Sequence, residues 1–144
     1  MKITRFEDLE CWQQARVLVR RIYEVTKSYP FSKDLRLSGQ IQAAGTSVMS
    51  NIPEGFIRRS DKEFVQFLFI AMSSSAEVQS QLYVALDQGY INHKQFDEIY
   101  GQAEKTAMLI SGLIKYLRTK TTKKTKLVEQ TEQTEQTEKT RQTK

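Results

Sequence analysis

Apolar residues recur every three to four positions across residues 6–118, the spacing that gathers them on one side of an α-helix. The first run, from about Asp8 to Ser28, aligns Trp12, Ala15, Val19, Ile22, Thr26 and Tyr29. Tyr29-Pro30 ends it, because the residue before a proline is driven out of helical geometry. A second run starts near Ser32 and aligns Leu37, Ile41, Ala44, Val48, Ile52 and Phe56. Pro53 inside it has no N–H, and its ring meets the Met49 carbonyl, so a kink is expected there. The third run opens on Ser60-Asp61-Lys62-Glu63, a capping box in which the serine hydroxyl and the glutamate carboxylate each satisfy a free backbone N–H. Its core side is Phe64, Phe67, Leu68, Ala71, Ser75, Val78, Leu82, Ala85 and Leu86, and Gly89 closes it. Asn92 with Gln95 opens the fourth, stapled by Ile91 and Phe96, with Phe96, Ile99, Tyr100, Ala103, Ala107, Ile110, Leu113, Ile114 and Leu117 as its buried side. No strand pattern competes. Amphipathic helices joined by short loops predict an all-α fold, an antiparallel up-down four-helix bundle over residues 1–118.

The pattern stops at residues 119–144. This segment repeats Thr-Glu-Gln at 131–133 and 134–136, and its sizeable apolar residues are Leu127 and Val128. So little apolar surface cannot offset the entropy of ordering, and a disordered Thr/Lys/Glu/Gln-rich tail is expected.

The third helix carries more apolar surface than one core needs. Val65, Phe69, Met72, Ala76 and Tyr83 form a second stripe on a different face. Such a stripe predicts an oligomer interface with further copies of the chain; the alternative is a central helix wrapped on two sides by its own bundle.

Composition narrows the chemistry. One cysteine, Cys11, and one histidine, His93, cannot make a disulfide or a four-ligand zinc site, so no metal is expected. Glu63 and Glu77 share a helix face but lie about 21 Å apart along it, beyond the 5–10 Å of a working carboxylate pair. Ser38-Gly39 and Ala44-Gly45 fall inside a helical stripe with no preceding strand, unlike a phosphate loop. No catalytic residues and no cofactor are expected. No stretch approaches the roughly 18–20 apolar residues of a membrane span, and Met-Lys-Ile-Thr-Arg does not lead into a signal peptide, so a cytoplasmic protein is expected.

The 144 residues hold 22 Lys+Arg and 17 Asp+Glu, a net charge of +5. Seven of the cations and four glutamates lie in the tail, leaving the bundle nearly neutral. Arg16, Arg20 and Lys27 share a face of the first helix, with Arg21 beside them, and Lys120, Lys123, Lys124 and Lys126 follow the bundle. With Arg36, these are candidate phosphate contacts to RNA or DNA. An ordinary solvated face has the same composition, and Glu24 stands four residues after Arg20. The densest polar cluster is Asn51, Glu54, Arg58, Arg59, Ser60 and Glu63, with Glu77 beyond it. It reads as an exposed ligand contact or as local structure: an i,i+4 Glu54–Arg58 pair, arginines against the helix dipole, and a cap. Glu77 is placed to pair with Arg58 or with a neighbouring subunit.

Asn51-Ile52-Pro53-Glu54-Gly55, then Arg58/Arg59-Ser60, Glu63-Phe64, Phe67-Leu68 and Ile70-Ala71, resembles the family of proteins encoded by intervening sequences in bacterial 23S ribosomal RNA genes. Leu37-Ser38-Gly39-Gln40, Phe6-Leu9-Trp12, Ile22-Tyr23 and Gly89-Tyr90-Ile91 extend the likeness over roughly residues 6–118. The resemblance implies a small bundle that assembles as a ring-shaped homo-oligomer, a pentamer. A similar bundle serves diversity-generating retroelements as an accessory protein that binds nucleic acid and a reverse transcriptase. Many relatives carry Arg-Arg-Ala-Ala where this chain has Gln42-Ala43-Ala44-Gly45, and Arg-Gly-Ser where it has Met72-Ser73-Ser74, and each change removes positive charge. The two functional classes to weigh are therefore an oligomeric, non-enzymatic scaffold that binds RNA or DNA through phosphates, and a protein-interaction subunit or purely structural oligomer.

Overall fold

A computed structural model describes residues 2–142. After a short 3₁₀ turn at Phe6–Asp8 come α1 (Glu10–Thr26), a second 3₁₀ turn at Phe31–Lys33, α2 (Leu35–Phe56), α3 (Asp61–Asp87) and α4 (His93–Gln142). Each helix packs on its neighbour in sequence and α4 closes on α1, the antiparallel up-down four-helix bundle expected from the apolar spacing.

The helix ends follow local side-chain chemistry. Asp34, rather than a residue near Ser32, starts α2, its carboxylate accepting from the Leu37 N–H at 3.0 Å. The preceding turn drives Phe31 fully into the core. Around Pro53, α2 remains one helix. At α3 the Ser60 hydroxyl accepts from the Glu63 N–H at 3.2 Å, but the Glu63 carboxylate accepts from the serine hydroxyl at 3.0 Å instead of reaching the Ser60 backbone. At α4 both halves of the capping box close: the Gln95 N–H donates to Asn92 Oδ1 at 2.8 Å, and the Asn92 N–H donates to Gln95 Oε1 at 3.0 Å. Gly89, at φ +74°, ends α3 in a Schellman turn, with the Tyr90 N–H donating to the Ala85 carbonyl at 2.9 Å.

Leu18, Ile22, Ile41, Val48, Ile52, Leu68, Val78, Leu82 and Ile110 are fully enclosed, each worth about 1.5–3 kcal/mol of transfer from water. On α1 the seam differs from the expected one. Cys11, Ala15, Leu18, Ile22 and Val25 face inward, whereas Val19 is half-buried and Tyr29 is exposed beyond the helix end. α2 and α3 meet closely because Gly55 has no side chain: a Cβ there would stand 2.7 Å from a Phe64 ring carbon and 2.8 Å from Phe67 Cβ.

Residues 119–142 are helical, where a disordered tail is expected. Lys, Glu and Gln favour helix, and the threonines, weaker helix formers, turn their hydroxyls back on the helix: Thr122, Thr125, Thr131, Thr134, Thr137 and Thr140 each donate to the carbonyl four residues earlier. The compositional argument holds in another respect, since every side chain of this extension is exposed.

Candidate functional site

The basic row on α1 is real as a row. Arg16, Arg20 and Lys27 are exposed and share one face within about 16 Å of helix, Lys27 at its C-terminal cap. The Arg16 guanidinium lies 6.0 Å from the Trp12 ring centre, and neither Arg20 nor Lys27 forms an ion pair. Arg21 is not part of it: its guanidinium donates to the Glu98 carbonyl of α4 at 3.1 Å, tying the two helices. The remaining candidates sit elsewhere. Lys27 and exposed Arg36 flank the α1–α2 loop. Lys120, Lys123 and Lys124 project past the opposite end, where Lys120 Nζ stands 4.0 Å from Asp61 Oδ2 at the start of α3. Antiparallel connectivity thus divides the predicted contacts into a stripe along α1 and a separate positive collar on α4.

The polar cluster around the α2–α3 turn resolves into structural jobs. Asn51 Nδ2 donates to the Ser47 carbonyl at 2.8 Å and to Ser47 Oγ at 3.0 Å, and Ser47 Oγ meets Ser74 Oγ of α3 at 2.8 Å. The expected Glu54–Arg58 ion pair does not form. The Arg58 guanidinium instead lies over the half-buried Phe67 ring at 4.7 Å. Nor does Glu77 meet Arg58: it is exposed midway along α3 and accepts from Gln81 Nε2 at 3.2 Å.

The expected interface stripe on α3 also divides. Val65 is buried and belongs to the core, because α4 runs past the first turns of α3 and Leu117 covers that flank. Met72 is half-buried against the core on the same flank. Phe69, Ala76 and Tyr83 remain exposed. The Phe69 ring lies 5.0 Å from the Arg118 guanidinium, and Tyr83 packs on Phe96 and Tyr100 of α4 with ring centres at 4.9 and 6.0 Å. Sequence spacing alone missed Ile70 and Val84, which are exposed on the same outer side at 48% and 45%.

Cys11 and His93 occupy opposite ends of the bundle. Cys11 is enclosed beside Leu109 and Leu113, about 24 Å of helix away from His93, and burial pushes its thiol up to about 11. Among the described residues, no group of three or more His, Cys, Asp or Glu could hold a metal ion, and no helix is long and apolar enough to cross a membrane.

The sequence model of the 23S rRNA-intervening sequence proteins matches residues 7–112, which span α1 to most of the packed part of α4. The chain belongs to that family. A solved structure of a protein of unknown function from the S23 ribosomal protein family of Bacteroides thetaiotaomicron is similar to it. The two share 25% identity at a TM-score of 0.67, over 73% of this chain and 98% of the other. No curated protein matches. The family match ends at residue 112, before the helical extension.

Proposed function

We propose that this 23S rRNA-intervening sequence protein is a non-enzymatic, oligomeric helical scaffold that binds RNA or DNA through backbone phosphates. The observation that carries the reading is the row of Arg16, Arg20 and Lys27, three exposed cations on one helix face with no carboxylate partner. The collar of Lys120, Lys123 and Lys124 supplies a second positive surface, and association of copies multiplies both. Contacts of this kind go to phosphate and depend weakly on base sequence.

Fluorescence anisotropy of a labelled structured RNA tests it. With about six phosphate contacts, affinity falls roughly a thousandfold between 50 and 200 mM salt. Replacing Arg16, Arg20 and Lys27 together with Gln lowers affinity at 50 mM salt and reduces the salt slope by about three. A flat salt response, or unchanged binding by the triple variant, overturns the reading.

The second reading is an accessory subunit that grips another protein, a reverse transcriptase in the retroelement case, or a purely structural oligomer. The exposed apolar outer side of α3 favours it, and there charge replacement on α1 leaves function untouched.

A further inference from the structure

The cations of α1 share their face with aromatic rings. At 100° per residue, Trp12, Arg16, Arg20, Tyr23 and Lys27 keep within about 80° of arc and follow one another over about 22 Å of helix. Tyr23 is 38% exposed, and among the described residues no other ring stacks on it. Trp12 is half-buried between the Phe6 ring, edge-on at 5.2 Å, and the Arg16 guanidinium, which lies over the indole at 6.0 Å. Ring and cation alternate again just past the helix, where Lys33 Nζ stands 5.4 Å over the ring of Tyr29, 73% exposed.

Acidic groups are kept off this stripe. Its Trp12 side borders α2, since a Cβ on Gly45 would stand 3.8 Å from Val19 Cγ2 and Gln42 Nε2 donates to Thr26 Oγ1 at 2.9 Å. From Leu37 to Pro53 that neighbouring helix contains no ionisable side chain. Before α1, Glu7 is already joined to Arg5 at 2.7 Å. Glu24 lies at the far edge, about 40° beyond Arg20. The positive charge of the stripe is therefore left for a ligand.

Exposed rings add nothing to the grip on a duplex, whose bases are stacked on one another and present phosphates outward. Unpaired bases offer a free π face, which stacks on tyrosine, tryptophan or the flat arginine guanidinium. The collar on α4 lacks this feature, because Thr121 and Thr122, and no ring, stand between Lys120 and Lys123.

We infer that this stripe of α1 is a site for unpaired nucleic acid, a single strand or an open loop. Tyr23 is one stacking platform for a base and the Arg16–Trp12 pair a second, while Arg20 and Lys27 contact the phosphates beside them. The inference rests on the nucleic-acid reading above and adds which form of the ligand fits. Base identity matters little, since every base has a π face.

Trp12 is the chain's one tryptophan, so its emission reports on the site in the unmodified full chain. Oligouridylate of about twelve residues is compared with an RNA duplex of equal length at about 50 mM salt. The single strand is expected to quench Trp12 emission and to bind about tenfold tighter than the duplex, which leaves the emission near its starting value. Tyr23→Ala is expected to weaken binding of oligouridylate about tenfold and to leave duplex binding unchanged, whereas Tyr23→Phe keeps both. Should Tyr23→Ala fail to fold, the emission and the strand-to-duplex ratio of the native protein decide. A duplex bound as tightly as the strand, emission unmoved at saturation, or a folded Tyr23→Ala protein that weakens neither ligand or both alike overturns the stacking site alone. Binding of neither ligand overturns both this site and the phosphate-binding reading.

Discussion

The Tyr90 hydroxyl donates to Asp34 Oδ2 at 2.9 Å, joining the α3–α4 connection to the start of α2 across 56 positions of sequence. The other carboxylate oxygen caps α2 through the Leu37 N–H, and the Tyr90 ring stacks on buried Phe31 at 5.1 Å. One aspartate therefore caps a helix and fastens a distant loop.

The bond has a defined pH window. The Leu37 N–H first, then the Tyr90 hydroxyl, hold the Asp34 carboxyl below its ordinary 3.8, so its stabilisation is present above that value and is lost as pH falls through the depressed one. The same bond to Asp34 raises the Tyr90 phenol above 10.0, so that contribution is present below 10 and is lost as pH rises through the raised value. Tyr90→Phe keeps the stack and removes the bond. It is expected to lower Tm near neutral pH, with the difference from the native protein shrinking below about pH 4 and above about pH 10. A difference constant across that range would contradict this account.

Gly55 and Gly45 are predicted to respond differently to alanine. At Gly55 the new Cβ meets the Phe64 ring, the Phe67 Cβ and, at 3.1 Å, the Phe64 backbone carbonyl, so α2 and α3 must separate. At Gly45 the near atom is the Ile22 Cδ1 at 2.7 Å, the end of a side chain that can turn. Gly55→Ala is expected to destabilise by about 1–3 kcal/mol and Gly45→Ala by less, measured by urea unfolding.

Ser75 is fully buried and its hydroxyl donates to the Ala103 carbonyl at 2.8 Å, joining α3 to α4. Ser75→Ala removes the bond without adding bulk and is expected to lower stability by about 1 kcal/mol. Ser75→Leu adds volume between two packed helices and is expected to lower it by about 1–3 kcal/mol more.

The extension is expected to be thermodynamically separable. Every side chain from Thr119 to Gln142 is exposed, and the extension meets the start of α3 through the Lys120–Asp61 pair at 4.0 Å between part-exposed groups. Ending the chain after Thr122 should change unfolding free energy by no more than about 0.5 kcal/mol, while removing the helical signal of the missing turns. A larger loss would reveal contacts between the extension and the bundle.

Much of the fold was readable from local rules. The three-to-four spacing of Leu37, Ile41, Ala44, Val48 and Ile52 placed α2's buried side, and Ser60, Asn92 and Gly89 marked helix ends, because caps act within one turn. On α1 the same rule chose Val19 and Tyr29 over Leu18 and Val25, since two adjacent apolar rows satisfy one period equally well. Spacing likewise offered two stripes on α3 with no means of ranking them. Burial of Val65 was decided by where α4 passes, and exposure of Ile70 and Val84 by the direction from which α2 and α4 approach. Glu54 and Arg58 had the correct separation for an ion pair, yet the Phe67 ring, brought close by the chain reversal, drew the guanidinium away. Periodicity and capping are properties of a few consecutive residues and so are carried by the chain itself. Which face meets a partner, and whether Arg16 and Lys120 share a surface, depend on how four rods are set side by side, which only the assembled bundle settles.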